Sequence, residues 1–199
     1  MLIKSGFEVA KPVDKVWQFF DDIPGVAKCL PGAELTEDLG DDRYRGKVAI
    51  RMGPVKLQFT GTAEIKERDD AGKRIVVDAA GSDEKGRGQA SMVVSATLTA
   101  ARGGTRVEVT QDLQLSGAAA QYGRGMISDV SAILMRDFAT NMQTRIDAAD
   151  RGVAVDGSTR AASGFTIGLR AMWLALGRVA RRFLLPYRPD QPELRGIPS

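Results

Sequence analysis

Cys29 is the strongest nucleophile by residue type in this chain, and nothing in the sequence activates it. A thiol reacts as its thiolate, which needs a neighbouring base or cation, and no histidine stands among the 199 residues. The lack of histidine removes the commonest general base, the Ser-His and Cys-His nucleophile pairs, and imidazole metal sites. One cysteine builds neither a zinc nor an iron–sulfur centre and closes no internal disulfide. The expected role of Cys29 is therefore a small buried hydrophobe. The acidic pairs Asp21-Asp22, Asp41-Asp42 and Asp69-Asp70 fall at turns and read as solvated caps. Gly86-Arg87-Gly88 and Gly103-Gly104 lie between strands, so they read as turns and not as phosphate cradles, which open helices. Tyr122-Gly123-Arg124-Gly125 stands at the start of a helix, where N–H groups attract anions or carbonyl oxygens. It has two readings, such a site or a packed turn. The chemistry expected from these residues is binding: no catalytic residue, no metal site and no covalently bound cofactor.

The elements that position these residues follow from periodicity. Leu2 to Val9 alternates as a strand. Lys11-Pro12-Val13-Asp14 opens a helix with Val13, Val16, Trp17, Phe19 and Phe20 on its apolar side. Asp22 caps a second short helix with Pro24 in its first turn, stopping at Leu30-Pro31-Gly32. Period-two runs then follow from Tyr44, Val55, Ile75, Ala90 and Val107, each bounded by turn residues, which predicts an antiparallel meander with one wet face. From Ala118 to Ala149 the apolar step changes to three and four, predicting one long helix that Gly123 and Gly125 weaken at its start. Strand, two short helices, curved sheet and long helix make an α+β domain over residues 1–150. The inward rows mix bulky and very small residues: Phe59 with Gly61 and Ala63, Val77 with Ala79 and Gly81, Met92 and Val94 with Ala90 and Ala96. Two explanations fit, a cavity between sheet and helix or a sheet that merely curls. Gln111 is in inward phase and must find a partner, either a pocket ligand or a helix end.

Charge divides the chain. Residues 151–199 carry eight arginines and three acids, a net of +5 against +3 for the whole chain, so the first 150 residues are mildly acidic. No basic stripe interleaved with aromatics appears there, and a nucleic-acid partner is not expected. Residues 151–163, rich in Gly, Ala, Ser and Thr, read as a flexible linker. Residues 164–186 read as an amphipathic helix ended by Pro186, and 187–199 as a disordered tail. Phe165, Leu169, Met172, Leu176, Val179 and Phe183 share one helical face with Trp173 beside it, and Arg170, Arg178, Arg181 and Arg182 gather opposite. The longest uncharged run in this segment is seven residues, far below the ~20 that span a bilayer. Such a helix suits the headgroup layer of an anionic membrane; docking on a partner protein, or packing on the domain itself, is the alternative. The N-terminus has no apolar run of signal-peptide length, so the expected location is cytoplasmic, peripheral on the inner face of the membrane.

Certain residues, taken in order, carry a resemblance. Phe7, Pro12, Val16 and Trp17 are followed by Asp21-Asp22-Ile23-Pro24, Cys29-Leu30-Pro31-Gly32, Gly53-Pro54-Val55, Phe59-Thr60-Gly61, Gly86-Arg87-Gly88, Gly104-Thr105, Gly117 and Ala120-Gln121-Tyr122-Gly123-Arg124-Gly125. Over residues 1 to about 150 the chain resembles the CoxG family, named for the G subunit of carbon monoxide dehydrogenase, within the START-like SRPBCC superfamily. The resemblance implies a helix-grip fold, a curved sheet wrapped on a long helix that closes a deep hydrophobic cavity. It also implies association with a molybdenum hydroxylase of the carbon monoxide dehydrogenase type, attachment to the membrane by the C-terminal segment, and a respiratory quinone, menaquinone or ubiquinone, as ligand. On that reading Trp17, Phe20, Phe59, Met92, Tyr122, Met126 and Val130 line the cavity, and Gln111 and Tyr122 hydrogen-bond quinone oxygens. The alternatives are a membrane-recruitment or assembly factor for the dehydrogenase and, more remotely, a polyketide cyclase-like enzyme.

Overall fold

The computed structural model describes residues 1–152. The linker beyond Gly152, the helix expected at 164–186 and the segment 187–199 lie outside the described residues. Strand β1 (Leu2–Val9) leads into α1 (Val13–Phe19) and α2 (Ile23–Ala27). Six strands follow: β2 (Ala33–Gly40), β3 (Arg43–Met52), β4 (Val55–Asp69), β5 (Arg74–Asp83), β6 (Gln89–Ala101) and β7 (Gly104–Leu115). A 3₁₀ turn (Gly117–Gln121) then precedes α3 (Arg124–Asp150). The strands form one antiparallel sheet in the order β1-β7-β6-β5-β4-β3-β2. Consecutive hairpins build β2 to β7. The two short helices carry the chain between the opposite edges, so β1 pairs β7 and α3 packs back along β1.

Two elements differ from the sequence expectation. The meander begins one strand earlier, because β2 is a real strand although Ala33-Glu34-Leu35-Thr36-Glu37-Asp38-Leu39 alternates poorly. Register shifts between Leu35 and Glu37 and between Asp38 and Gly40 explain this, since each bulge resets the inward phase. The long helix starts at Arg124 and not at Ala118. Gly117 has φ 66°, a left-handed value that turns the chain out of β7, and Tyr122 and the N-cap Gly123 are extended. The extended backbone at Tyr122 and Gly123 separates the 3₁₀ turn from the α-helix and delays the helix to Arg124, whereas Gly125 is already helical.

Turn and cap residues behave as their chemistry dictates. Asp22 caps α2 by accepting from Gly25 N at 3.0 Å. Asp41 and Asp42 form the two-residue β2–β3 turn with φ of 52° and 56°, the left-handed pair such hairpins require. Asp69 accepts from the amides of Ala71 and Gly72 in the β4–β5 turn. The β5–β6 turn holds an ion pair on a buried carboxylate: Asp83 is paired with the half-buried Arg87 through Nε at 2.8 Å and Nη2 at 2.8 Å, and Arg87 Nη2 also donates to Lys56 O at 2.8 Å. The arginine beside it, helped by amides of Gln58, Lys85 and Arg87, holds the Asp83 carboxyl well below the usual carboxylate range against the opposing effect of burial. Ala118 N bonds Arg87 O at 2.6 Å, so this turn also fixes the junction between β7 and α3.

The core is divided. One buried cluster gathers Val9, Val16, Trp17, Phe20, Cys29, Val107, Met142 and Ile146 around α1 and the C-terminal half of α3. The other gathers Ile3, Met52, Leu57, Phe59, Ala119 and Ile127 around the helix start. Between them the middle turns of α3, from Val130 to Phe138, are only half buried on their sheet-facing side.

Candidate ligand cavity

The gap between the two clusters is a cavity of about 520 Å³ between sheet and helix. Cavities of 300–1,000 Å³ are the usual size for small-molecule sites. Its floor is the inward rows of β4, β5 and β6, and strand register explains why it is open. Gly61 faces Gly81, Ala63 faces Ala79, and Ala79 faces Met92, so small side chains cluster in adjacent strands instead of alternating with large ones. Gly61 also lets β4 and β5 approach closely: a Cβ there would lie 2.0 Å from Ala80 O. Of the two explanations for these residues, the cavity is present and the close approach accompanies it. The roof is α3, with Ile127, Val130, Ser131, Leu134, Met135 and Phe138, and one flank is α2 with Ile23, Val26 and Ala27, continued by Leu30 just after it.

Polar groups in the wall are few. Gln111 is buried on β7, and Ser131 Oγ donates to Gln111 Oε1 at 2.9 Å from the middle of α3. Gln111 thus finds a helix side chain, not a helix end, and it lines the cavity. Tyr44 lies at the β3 rim, where burial, then the nearby Asp38 and Asp42, push its phenol pKa up. The charged rim residues Glu34, Arg45, Lys47 and Glu64 occupy outward strand positions.

Phe20, Phe59, Met92, Gln111 and Val130 stand on the cavity wall. Trp17, Tyr122 and Met126 do not. Trp17 is buried in the packed cluster beyond it, where its Nε1 donates to Asp70 Oδ1 at 2.6 Å and Arg68 and Lys73 lie 4.8 and 5.6 Å from its ring. Its job is to latch the β4–β5 turn onto α1. Tyr122 precedes the delayed helix start, so it faces a separate shallow recess with Met1, Leu113, Ala120 and Arg124. Met126, in the first turn of α3, points outward and is 44% exposed. Sequence reading missed Tyr44, Ser131 and the α2 residues; Ser131 was detectable because it falls four residues after Ile127 and three before Leu134 on the inward face of α3.

Cys29 is fully buried, its Sγ 3.4 Å from Gly25 O, and burial pushes its thiol up to about 11. That is the opposite of an activated nucleophile. Asn141 Nδ2 donates to the Cys29 carbonyl at 2.9 Å, tying the segment that follows α2 to α3. Among the described residues no cluster of three or more metal-ligating side chains occurs, and no helix is long and apolar enough to cross a membrane.

Solved structures share this architecture. A conserved protein from Geobacillus kaustophilus superposes with a TM-score of 0.67 at 22% identity, covering 75% of this chain and 97% of that chain. A Thermus thermophilus protein gives 0.54 at 16% identity, covering 75% of this chain and 99% of that one. The Zhui aromatase/cyclase from Streptomyces sp. R1128 gives 0.56 at 16% identity, covering 77% and 99%. At these identities the likeness shows the fold alone: a seven-stranded curved antiparallel sheet on a long C-terminal helix, the helix-grip arrangement. No curated protein sequence matches the chain. The sequence pattern of the carbon monoxide dehydrogenase G subunit (CoxG) matches residues 6–147, nearly all of the sheet and of α3, and the chain therefore belongs to the CoxG family.

Proposed function

We propose that this protein is a noncatalytic carrier that holds a respiratory quinone in the sheet–helix cavity and presents it to a molybdenum hydroxylase of the carbon monoxide dehydrogenase type. The observation that carries the reading is the cavity itself, about 520 Å³ of almost wholly apolar wall with one amide–hydroxyl pair on the buried Gln111. An isoprenoid quinone in water exposes apolar surface at roughly 25 cal/mol per Å², and enclosure in such a wall removes that cost. Family membership supports the dehydrogenase as partner. The arginine-faced segment 164–186 supplies the membrane contact on this reading: its apolar face enters the headgroup layer and its arginines add roughly 1 kcal/mol each near an anionic surface.

Mass spectrometry of an organic extract of the purified full-length protein tests the assignment. A prenylated quinone at near-stoichiometric amount is the expected result. A stoichiometric lipid without a quinone ring would contradict it, and so would an empty cavity that takes up no added quinone.

A further inference from the structure

The carrier reading leaves open which way round a ligand lies and which groups recognise its polar end. Two polar positions compete, at opposite sides of the cavity. Gln111 is on β7, next to the β1 edge that α3 covers. Tyr44 is on β3, four strands away, beside the exposed β2–β3 turn. At about 4.8 Å per strand the two are separated by roughly 19 Å along the sheet, so one compact headgroup cannot touch both.

We propose that the Gln111–Ser131 pair is a carbonyl-recognition site, with Ser131 as its positioning residue, and that the ligand lies with its carbonyl end beneath α3 and its apolar chain running toward α2 and β3. This rests on the carrier reading and adds the recognition chemistry. Ser131 Oγ donates to Gln111 Oε1 at 2.9 Å, which fixes the carboxamide and spends an acceptor site. Among the described residues no acceptor pairs with Gln111 Nε2, so the pair presents N–H donors to an otherwise apolar space. A ketone oxygen completes that arrangement. A hydrocarbon leaves the N–H groups unpaired, and a carboxylate would need a cation, whereas Arg45 and Lys47 occupy outward positions on the distant β3 strand. Tyr44 has the weaker claim, because its rim position leaves it near Asp38, Asp42 and water.

The test uses the full chain, titrated calorimetrically with a short-chain prenyl naphthoquinone, with an isoprenoid alcohol and with squalene. Wild type is expected to bind the quinone most tightly. Gln111→Leu should weaken the quinone about fivefold, the equivalent of ~1 kcal/mol for one neutral hydrogen bond, and leave squalene unchanged or tighter. Ser131→Ala should weaken the quinone two- to fivefold with squalene unaffected, and Ser131→Thr, which keeps the hydroxyl, should restore it. Tyr44→Phe, at the rim, should weaken the quinone less than Gln111→Leu does. Equal losses for quinone and squalene in Gln111→Leu would reduce the pair to a structural role and overturn the proposal. Tighter binding of the alcohol than the quinone would show the amide facing the other way and overturn it as well, as would a quinone-specific loss in Tyr44→Phe larger than that in Gln111→Leu. Failure of wild type to bind quinone or squalene at all would instead remove the carrier reading, and this proposal with it.

Discussion

Single residues in this domain divide sharply between those that hold the fold and those that face the cavity, and burial alone does not separate them. Asp83 and Gln111 are both buried polar residues, yet Asp83 is fully engaged by Arg87 and three amides, while among the described residues Gln111 is bonded through its Oε1 to Ser131 with no acceptor on its N–H groups. Asp83 makes the fold sensitive to acid. Its folded pKa lies below the unfolded carboxylate value of about 3.9, so its contribution is present above that pH and is lost as the pH falls toward the folded value. Asp147 and Asp150, lowered by Lys11, act in the same direction at the end of α3. Asp83→Asn should lower the melting temperature at pH 7 and shrink the difference in melting temperature between pH 7 and pH 3; a variant whose pH dependence equals wild type would remove this role. Thr105, fully buried with its hydroxyl on Lys11 O at 2.7 Å, ties the β7 start to the α1 entry. Thr105→Val should cost about 1–2 kcal/mol in urea unfolding, as one satisfied buried bond is lost and one carbonyl is stranded. Trp17 shows why a residue type can mislead. An aromatic in the first helix is equally compatible with a cavity wall and a packed latch, and the ring goes to the latch because Asp70, Arg68 and Lys73 arrive from a turn about 50 positions later in the chain.

At the scale of elements, the curvature of the sheet and the position of α3 create the site. The paired Gly61 and Gly81 let β4 and β5 close on each other. Gly61→Val should destabilise the protein by roughly 2–3 kcal/mol, an overpacking cost, because the new side chain meets Ala80 backbone; unaltered chemical unfolding would show that the strands are looser than described. Most of this layer was legible in the sequence. Period-two runs gave six of the seven strands, and the switch to three- and four-residue steps after Gly117 gave α3. The missing strand, β2, is bulged twice, and a bulge erases the alternation that such reading depends on. The helix start was displaced for a different reason: apolar spacing continues through Ala118–Tyr122, but backbone conformation at Gly117 and Gly123 decides where α-helix can begin. That six-residue delay is what carries Tyr122 off the cavity and leaves Gln111 to Ser131. The small-residue rows indicated a possible void, but only strand register brings Gly61, Ala63, Ala79 and Gly81 side by side, and register is set by turns and bulges that the rows do not encode.

For the molecule as a whole, the proposed carrier function calls on both a slightly acidic N-terminal domain and a basic C-terminal segment whose sequence predicts an amphipathic helix. Truncation after Arg151 should leave a folded domain that binds quinone but no longer sediments with anionic vesicles. Replacing Arg170, Arg178, Arg181 and Arg182 by Gln should weaken sedimentation strongly and make what remains less sensitive to salt. Leu176→Ser with Phe183→Ser should weaken it even at low salt. A full-length protein that ignores vesicles and binds its dehydrogenase only through this segment would assign the segment to a protein partner. The carrier function itself is tested most directly by quinone extraction: full-length protein is mixed with quinone-loaded vesicles, recovered free of them, and its quinone content measured beside that of Ala79→Phe with Ala96→Phe. Both alanines line the cavity, so the two phenylalanines fill it. Wild type should leave the vesicles carrying close to one quinone per chain and the filled variant, still folded, should carry almost none; equal amounts in the two proteins would place the quinone outside the cavity and contradict the account.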